Sequence, residues 1–282
     1  MNAAPRRITL CADDYGLSPG VNAGINELIA QKRLNATSVM VVGPAITRDH
    51  VQALQDAVAK NPACAIGLHV TLTAPFHPLT MHYRPMRDGL FLPLGTMLRV
   101  TMLRRLDREM IQREVAAQIV RFAALFDRVP DYVDGHQHVQ IFPQVRDAFL
   151  AAVKAHAPAA WVRQSGRIQP LAQRIDAPKA LLLDALSSTF RKRAGRAGVP
   201  FNPGFAGAYD FSKQTDFAAL MAGFLQDLPD NGLVMCHPGH VDDVLRELDP
   251  LTDQREREYQ YLAGDDFPRL LAAHNIILGE GA

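Results

Sequence analysis

The chain has 282 residues, with 30 Lys+Arg against 29 Asp+Glu, 10 His and 3 Cys. Its length suits one large α/β domain, since (β/α) barrels run to about 200–250 residues, and its 48% hydrophobic content is that of an ordinary globule. A net charge of +1 argues against a dedicated nucleic-acid binder, the distant cysteines (Cys11, Cys64, Cys236) form no CxxC pair, and no run is apolar enough for a transmembrane segment.

Apolar runs then alternate with helical patterns. Ile8–Cys11 reads as a buried strand, and Ser18-Pro19 opens a helix to Ile29, the proline standing where its missing N–H costs nothing. Thr37–Val42 is a second strand, Asp49–Val58 an amphipathic helix and Ala65–Leu72 a third strand. Asp107–Phe126 has the clearest helical spacing, with Met110, Ile111, Val115, Ile119, Phe122 and Leu125 recurring between charges. Tyr132–Asp134, Trp161–Arg163, Leu233–Cys236 and Ile276–Leu278 read as further strands, with a helix from Pro143 to about His156. Residues 73–95, with four Pro and two His, read as a long loop. So does the irregular stretch 167–216, which holds a basic helix-like segment at Arg191–Arg196 and the run VPFNPGFAGAY. Repeated βα units with buried strands imply a parallel sheet, and seven or so favour an irregular single-domain (β/α) TIM-like barrel over residues 1–282.

The polar residues that follow the strands carry the functional information. The first strand runs into Asp13-Asp14, the third contains His69, the fourth runs into His136 and His138, and the late strand runs into His237 and His240. In a parallel α/β protein these strand ends point to one face, where active sites sit. Each motif alone has a bland reading: an Asx-type turn, a core histidine, a surface His pair, a turn-capping His. Two carboxylates straight after a buried strand are nevertheless costly unless a cation or hydrogen bonds compensate. Imidazoles and carboxylates converging on one rim point to a divalent metal with an open position, as in catalytic sites. Mixed N/O ligands suit zinc by softness and leave magnesium, manganese, cobalt and nickel open.

The segments TLCADDYGLSPGVNAGI, IGLHVTLT, YVDGHQHVQIFP and MCHPGHVDD, with the later LTDQREREYQYL, resemble the YdjC-like carbohydrate deacetylases. That family includes chitooligosaccharide and hopanoid-biosynthesis deacetylases, and the resemblance runs from about residue 7 to 280. It implies an irregular (β/α) barrel and metal-dependent removal of an N-acetyl group from an amino sugar, such as a chitooligosaccharide or N-acetylglucosaminyl conjugate. It implies Asp14, His69 and His136 as ligands of one divalent ion (Mg2+ or Zn2+), and Asp13 as the base. Where many relatives carry DSHHHVH, this chain has DGHQHVQ, so Gln137 and Gln140 replace two histidines.

A working scheme follows. The metal polarises the acetamide, Asp13 takes the proton of the attacking water, and His237, on another strand end, protonates the leaving amine. Tyr15, His138 and Arg163 are the expected sugar contacts, with Arg163 equally able to pair with an acidic neighbour. The rivals are a phosphoesterase, an amidohydrolase on a non-sugar amide, and an inactive sugar-binding barrel. A phosphoesterase would want two metals and more carboxylates, for which Asp134 and Asp242 are the extra candidates. The expected partner is a small-molecule glycan, with no nucleic acid and no membrane span. The expected location is cytoplasmic. Leu/Met-rich residues near 90–106 read as a flank for a lipid or second subunit, which leaves a homodimer open.

Overall fold

Residues 4–167, 178–211 and 215–279 are described by the computed structural model. Among them eight strands form one parallel sheet in the order β5-β4-β3-β2-β1-β7-β6, with β8 also on β1. They are β1 (Arg6–Tyr15), β2 (Ala36–Val39), β3 (Ala65–Val70), β4 (Tyr132–Gly135), β5 (Trp161–Val162), β6 (Phe205–Ala206), β7 (Gly232–Cys236) and β8 (Ile276–Leu278). Isolated parallel bridges, Val162↔Phe201 and Arg167↔Phe205, carry the curl from the β5 side round to β6. The α/β barrel-like fold expected from the alternation is therefore present.

Side-chain alternation along the strands makes two cores. Leu10 and Ala12 face outward into the large core shared with the helices. Cys11 faces inward with Ala36, Tyr132, Trp161, Phe205, Leu233 and Met235. Tyr132 and Trp161 stack with centroids 4.5 Å apart and plug the barrel below its C-terminal rim. Gly67 makes room for that plug, because a Cβ there would collide with the Tyr132 ring.

The helices follow the local signals read from sequence. Pro19–Ala30 (α1) is capped by the Ser18 hydroxyl, which accepts from the Val21 amide, and Arg108–Phe126 (α4) by the Asp107 carboxylate. Arg48–Ala59 (α2) and Val145–His156 (α5) fall within two residues of their expected bounds. The two stretches read as loops hold more structure than expected. Residues 74–92 are tied back on themselves by Ala74 N–H donating to Leu92 O and Phe91 N–H to Phe76 O, and a helix, Leu94–Met102 (α3), follows. The stretch 167–216 contains the twenty-residue helix Pro178–Ala197 (α6) and β6. Its buried apolar residues, Leu186, Phe190 and Ala194, are few beside polar buried Asp184 and Ser187 and the helix's many charges, so the apolar pattern is weak. Residues 168–177 and 212–214 of that stretch lie outside those described. The late helices are Phe217–Gln226 (α7), Asp243–Leu248 (α8), Asp253–Ala263 (α9) and Asp266–Ala273 (α10).

Candidate metal centre

Strand β1 ends in a distortion that creates the site. Ala12 pairs with Thr37 and Tyr15 with Val39, so three steps on β1 oppose two on β2, and Asp14 takes a left-handed φ of 71°. This is a β-bulge, which re-aims side chains locally. It frees Asp13 and Asp14 from the strict alternation of a strand, and both carboxylates face one buried cluster.

Asp14 Oδ1 lies 3.2 Å from His69 Nε2 and 2.9 Å from His136 Nδ1. The donor atoms of these three buried residues lie within 4.8 Å of one another, as a metal site requires. His136 reaches the site because β4 gives way to a tight turn, His136–Ile141, in which Gln137 and His138 adopt positive φ. Ring contacts with His69 (5.5 Å) and Phe76 (5.9 Å) hold the imidazole in place.

Behind the three candidate ligands stand groups that orient them, of which the sequence reading had given Arg255 no role. Asp134 is the direct neighbour of His69 across the β3–β4 pairing, and its Oδ1 sits 2.6 Å from His69 Nδ1. A carboxylate there fixes the tautomer and leaves Nε2 available to a metal. Arg255, fully buried on α9, donates to Asp14 Oδ2 at 2.6 Å and to Asp249 at 2.7 Å, so Asp14 keeps Oδ1 for a cation. Arg163, also fully buried, donates to both oxygens of Asp13 (2.7 and 2.6 Å) and pairs with Asp134. Ser38 adds a hydroxyl 3.1 Å from Asp13 Oδ1.

Three carboxylates thus face two guanidiniums in a region closed to water. The balance is one positive charge short of neutral unless a cation joins, and unpaired buried charge is expensive. Without a metal His69 fills that role. Burial opposes its protonation, but Asp134 and Asp13 outweigh burial and hold its pKa at about 10. Burial likewise raises the carboxyls of Asp13 and Asp14, yet Arg163 and Arg255, respectively, more than offset this and hold both below the usual range. The donor types and their convergence fit a divalent ion, and the excess negative charge favours a cation there.

A second acidic group, Cys11, Asp13 and Asp134, lies deeper. Arg163 Nη2 sits among all three, 2.6 Å from Asp13 Oδ1 and 3.1 Å from the Cys11 sulfur, so a guanidinium occupies the place of a second cation. All three cysteines are buried and free, and burial raises their thiols, in keeping with inert packing.

The remaining sequence candidates divide. His237 stands beside Asp13, its Nε2 4.0 Å from Oδ2, with its backbone N–H donating to buried Glu258 at 2.5 Å. Tyr209 donates to the same Glu258, whose carboxyl is raised by burial. His138 lines the inside, Nδ1 3.1 Å from the Ser165 hydroxyl, and burial with Arg163 pushes its pKa down to about 3, so the ring is neutral. Two expected sugar contacts are corrected. Tyr15 is buried in the outer core with its hydroxyl donating to His50 O, because the bulge turns it away from the carboxylates. Arg163 is shielded from solvent and paired with Asp13 and Asp134, the pairing alternative foreseen for it. His240 lies off the site, against Glu27 and Glu256.

A family model described as YdjC-like protein matches residues 7–273. Among solved structures, an Enterococcus faecalis protein described as a candidate cellobiose-phosphate cleavage protein matches 98% of both chains, with a TM-score of 0.73 at 20% identity. The lactam utilization protein of Thermus thermophilus covers 97% of this chain and 99% of its own, with a TM-score of 0.55 at 16% identity. At these identities the likeness is one of fold.

Proposed function

The chain belongs to the YdjC-like family, and from that premise we propose that it is a metal-dependent carbohydrate deacetylase that hydrolyses the N-acetyl group of an amino sugar and releases acetate. The observation that carries the reading is the buried Asp14–His69–His136 convergence with the Asp13 carboxylate next to it at the end of β1.

A divalent ion held by Asp14 Oδ1, His69 Nε2 and His136 Nδ1 would supply Lewis-acid polarisation of the acetamide carbonyl and a more acidic water. The protein's own groups do the rest. Arg163 keeps Asp13 ionised, hence ready to accept a proton, and fixes its carboxylate plane through two hydrogen bonds. Asp13 Oδ2, which among the described residues accepts only from Arg163 Nη1 and faces His237, takes the proton of the attacking water. His237 Nε2 delivers a proton to the leaving amine, its backbone held by Glu258. Asp134 holds the His69 ring so that its ligating nitrogen faces the cluster. A phosphoesterase is disfavoured because Arg163 fills the second acidic group.

The test is acetate release from a panel of N-acetylated amino sugars and oligosaccharides, with chelator and after metal is restored. Release that chelator abolishes and metal restores is expected. Metal-loaded protein that frees no acetate from any member would overturn the assignment.

A further inference from the structure

We propose that α3 and the turn after it form a docking surface for an anionic lipid bilayer, set at the mouth of the barrel. Three of the nine exposed large hydrophobic side chains among the described residues belong to this one region: Leu94, Met102 and Leu103. Along α3, Met97 and Thr101 are buried, while Leu94, half-buried Leu98 and Met102, each four residues apart, share the outer flank. An apolar flank left toward water is what an interfacial helix offers a membrane.

The charge on the same surface selects the kind of membrane. Arg99, Arg104, Arg105 and Arg108 are exposed, and none has a carboxylate partner among the described residues. The nearby acids are already engaged: Asp88 with Arg87, Glu109 with Arg113, and Asp107 as the cap of α4. Arg104 also crowds other cations. Burial lowers the Arg146 pKa, Arg193 and Arg104 lower it further, only Asp147 opposes them, and the Arg146 Nε has no acceptor. Such a surface lacks anions and would recruit lipid phosphates. A second copy of the chain fits it poorly, because a twofold contact would set these arginines against themselves.

Both ends of the surface are fixed at the rim. Leu92, two residues before α3, accepts from Ala74, and Phe76 of that loop packs on His136. After α3, the Gln144 side chain bonds both the N–H and the C=O of Leu106, three residues beyond the turn that carries His136. No helix among the described residues is long and apolar enough to cross a membrane, so the attachment is peripheral.

The experiment is cosedimentation of the full chain with phosphatidylcholine vesicles, alone and with about 30% phosphatidylglycerol. Binding to the anionic vesicles, weakened by salt, is expected. Each arginine removed should weaken it about fivefold, so Arg104→Gln/Arg105→Gln loses roughly 25-fold, and Met102→Ser/Leu103→Ser should lose at least about tenfold. All four side chains are exposed, so an unchanged Tm confirms folding. Absence of binding to anionic vesicles overturns the proposal, as does binding that neither variant alters. So does a dimer in sedimentation velocity that Met102→Ser/Leu103→Ser abolishes without any vesicle binding. The readout is independent of acetate release and stands or falls apart from the proposed reaction.

Discussion

Asp13 and Asp14 are adjacent carboxylates given different tasks by their partners. Asp14 shares one oxygen with two imidazoles and gives the other to Arg255, whereas both oxygens of Asp13 are held by Arg163. Asp13→Asn is therefore expected to keep its metal and lose about 100-fold or more in kcat; His136→Ala should lose both metal and turnover. Metal analysis beside steady-state rates separates the two, and near-normal rates for Asp13→Asn would remove the base assignment. Asp134→Asn should weaken metal affinity by roughly 10–100-fold, read by competition with a chromophoric chelator, because His69 loses the carboxylate that fixes its tautomer. The convergence of Asp14, His69 and His136 was legible in sequence because strand ends collect at one rim. Arg255 and Glu258 were not, although the LTDQREREYQYL segment contains both. A helix charged on every side gives no sign of which charges are buried, and these two are fully so.

At the level of elements, the bulge in β1 and the plug beneath it make room for the site. Tyr132 fills the barrel only because β3 carries Gly67 opposite its ring. Gly67→Ala should accordingly destabilise the fold by about 1–3 kcal/mol through overpacking, measured by denaturant unfolding, with little change if Tyr132 is shortened to leucine in the same chain. Strong local signals placed the elements well: the Ser18-Pro19 start, the Asp107 cap, and the apolar recurrence along α4. They failed at α3 and α6, where the buried stripe is narrow and tertiary contacts supply most of the stabilisation. The bulge left no mark in sequence beyond the ADDYG run, since its extra residue is defined only against β2.

For the whole molecule, the buried charges set how stability depends on pH. The Asp13 and Asp14 carboxyls are lowered from 3.8, so their stabilisation is present above about pH 4 and lost as pH falls further. His69 is raised from 6.5 to about 10, so its contribution is complete below about pH 6.5 and fades as pH rises toward 10. Metal-free protein should then show its highest Tm between about pH 4.5 and 6.5, declining on both sides, as a calorimetric pH series would reveal. Metal binding requires a neutral His69, so at pH 7 it should release about one proton. Titration calorimetry in buffers of different ionisation enthalpy measures that number, and a value near zero would mean that His69 is not a ligand.

The sequence by itself determined the fold class, the family resemblance, and the residue types gathered at one rim. These follow from periodicity, from strand-end position and from motifs held in short contiguous segments. Only the tertiary structure decided which of those residues are neighbours. Parallel strands are joined by long crossovers, so their register is set by packing and not by any local turn. That register puts Asp134 opposite His69, Arg163 beneath Asp13 and Arg255 behind Asp14, while the bulge turns Tyr15 out of the site.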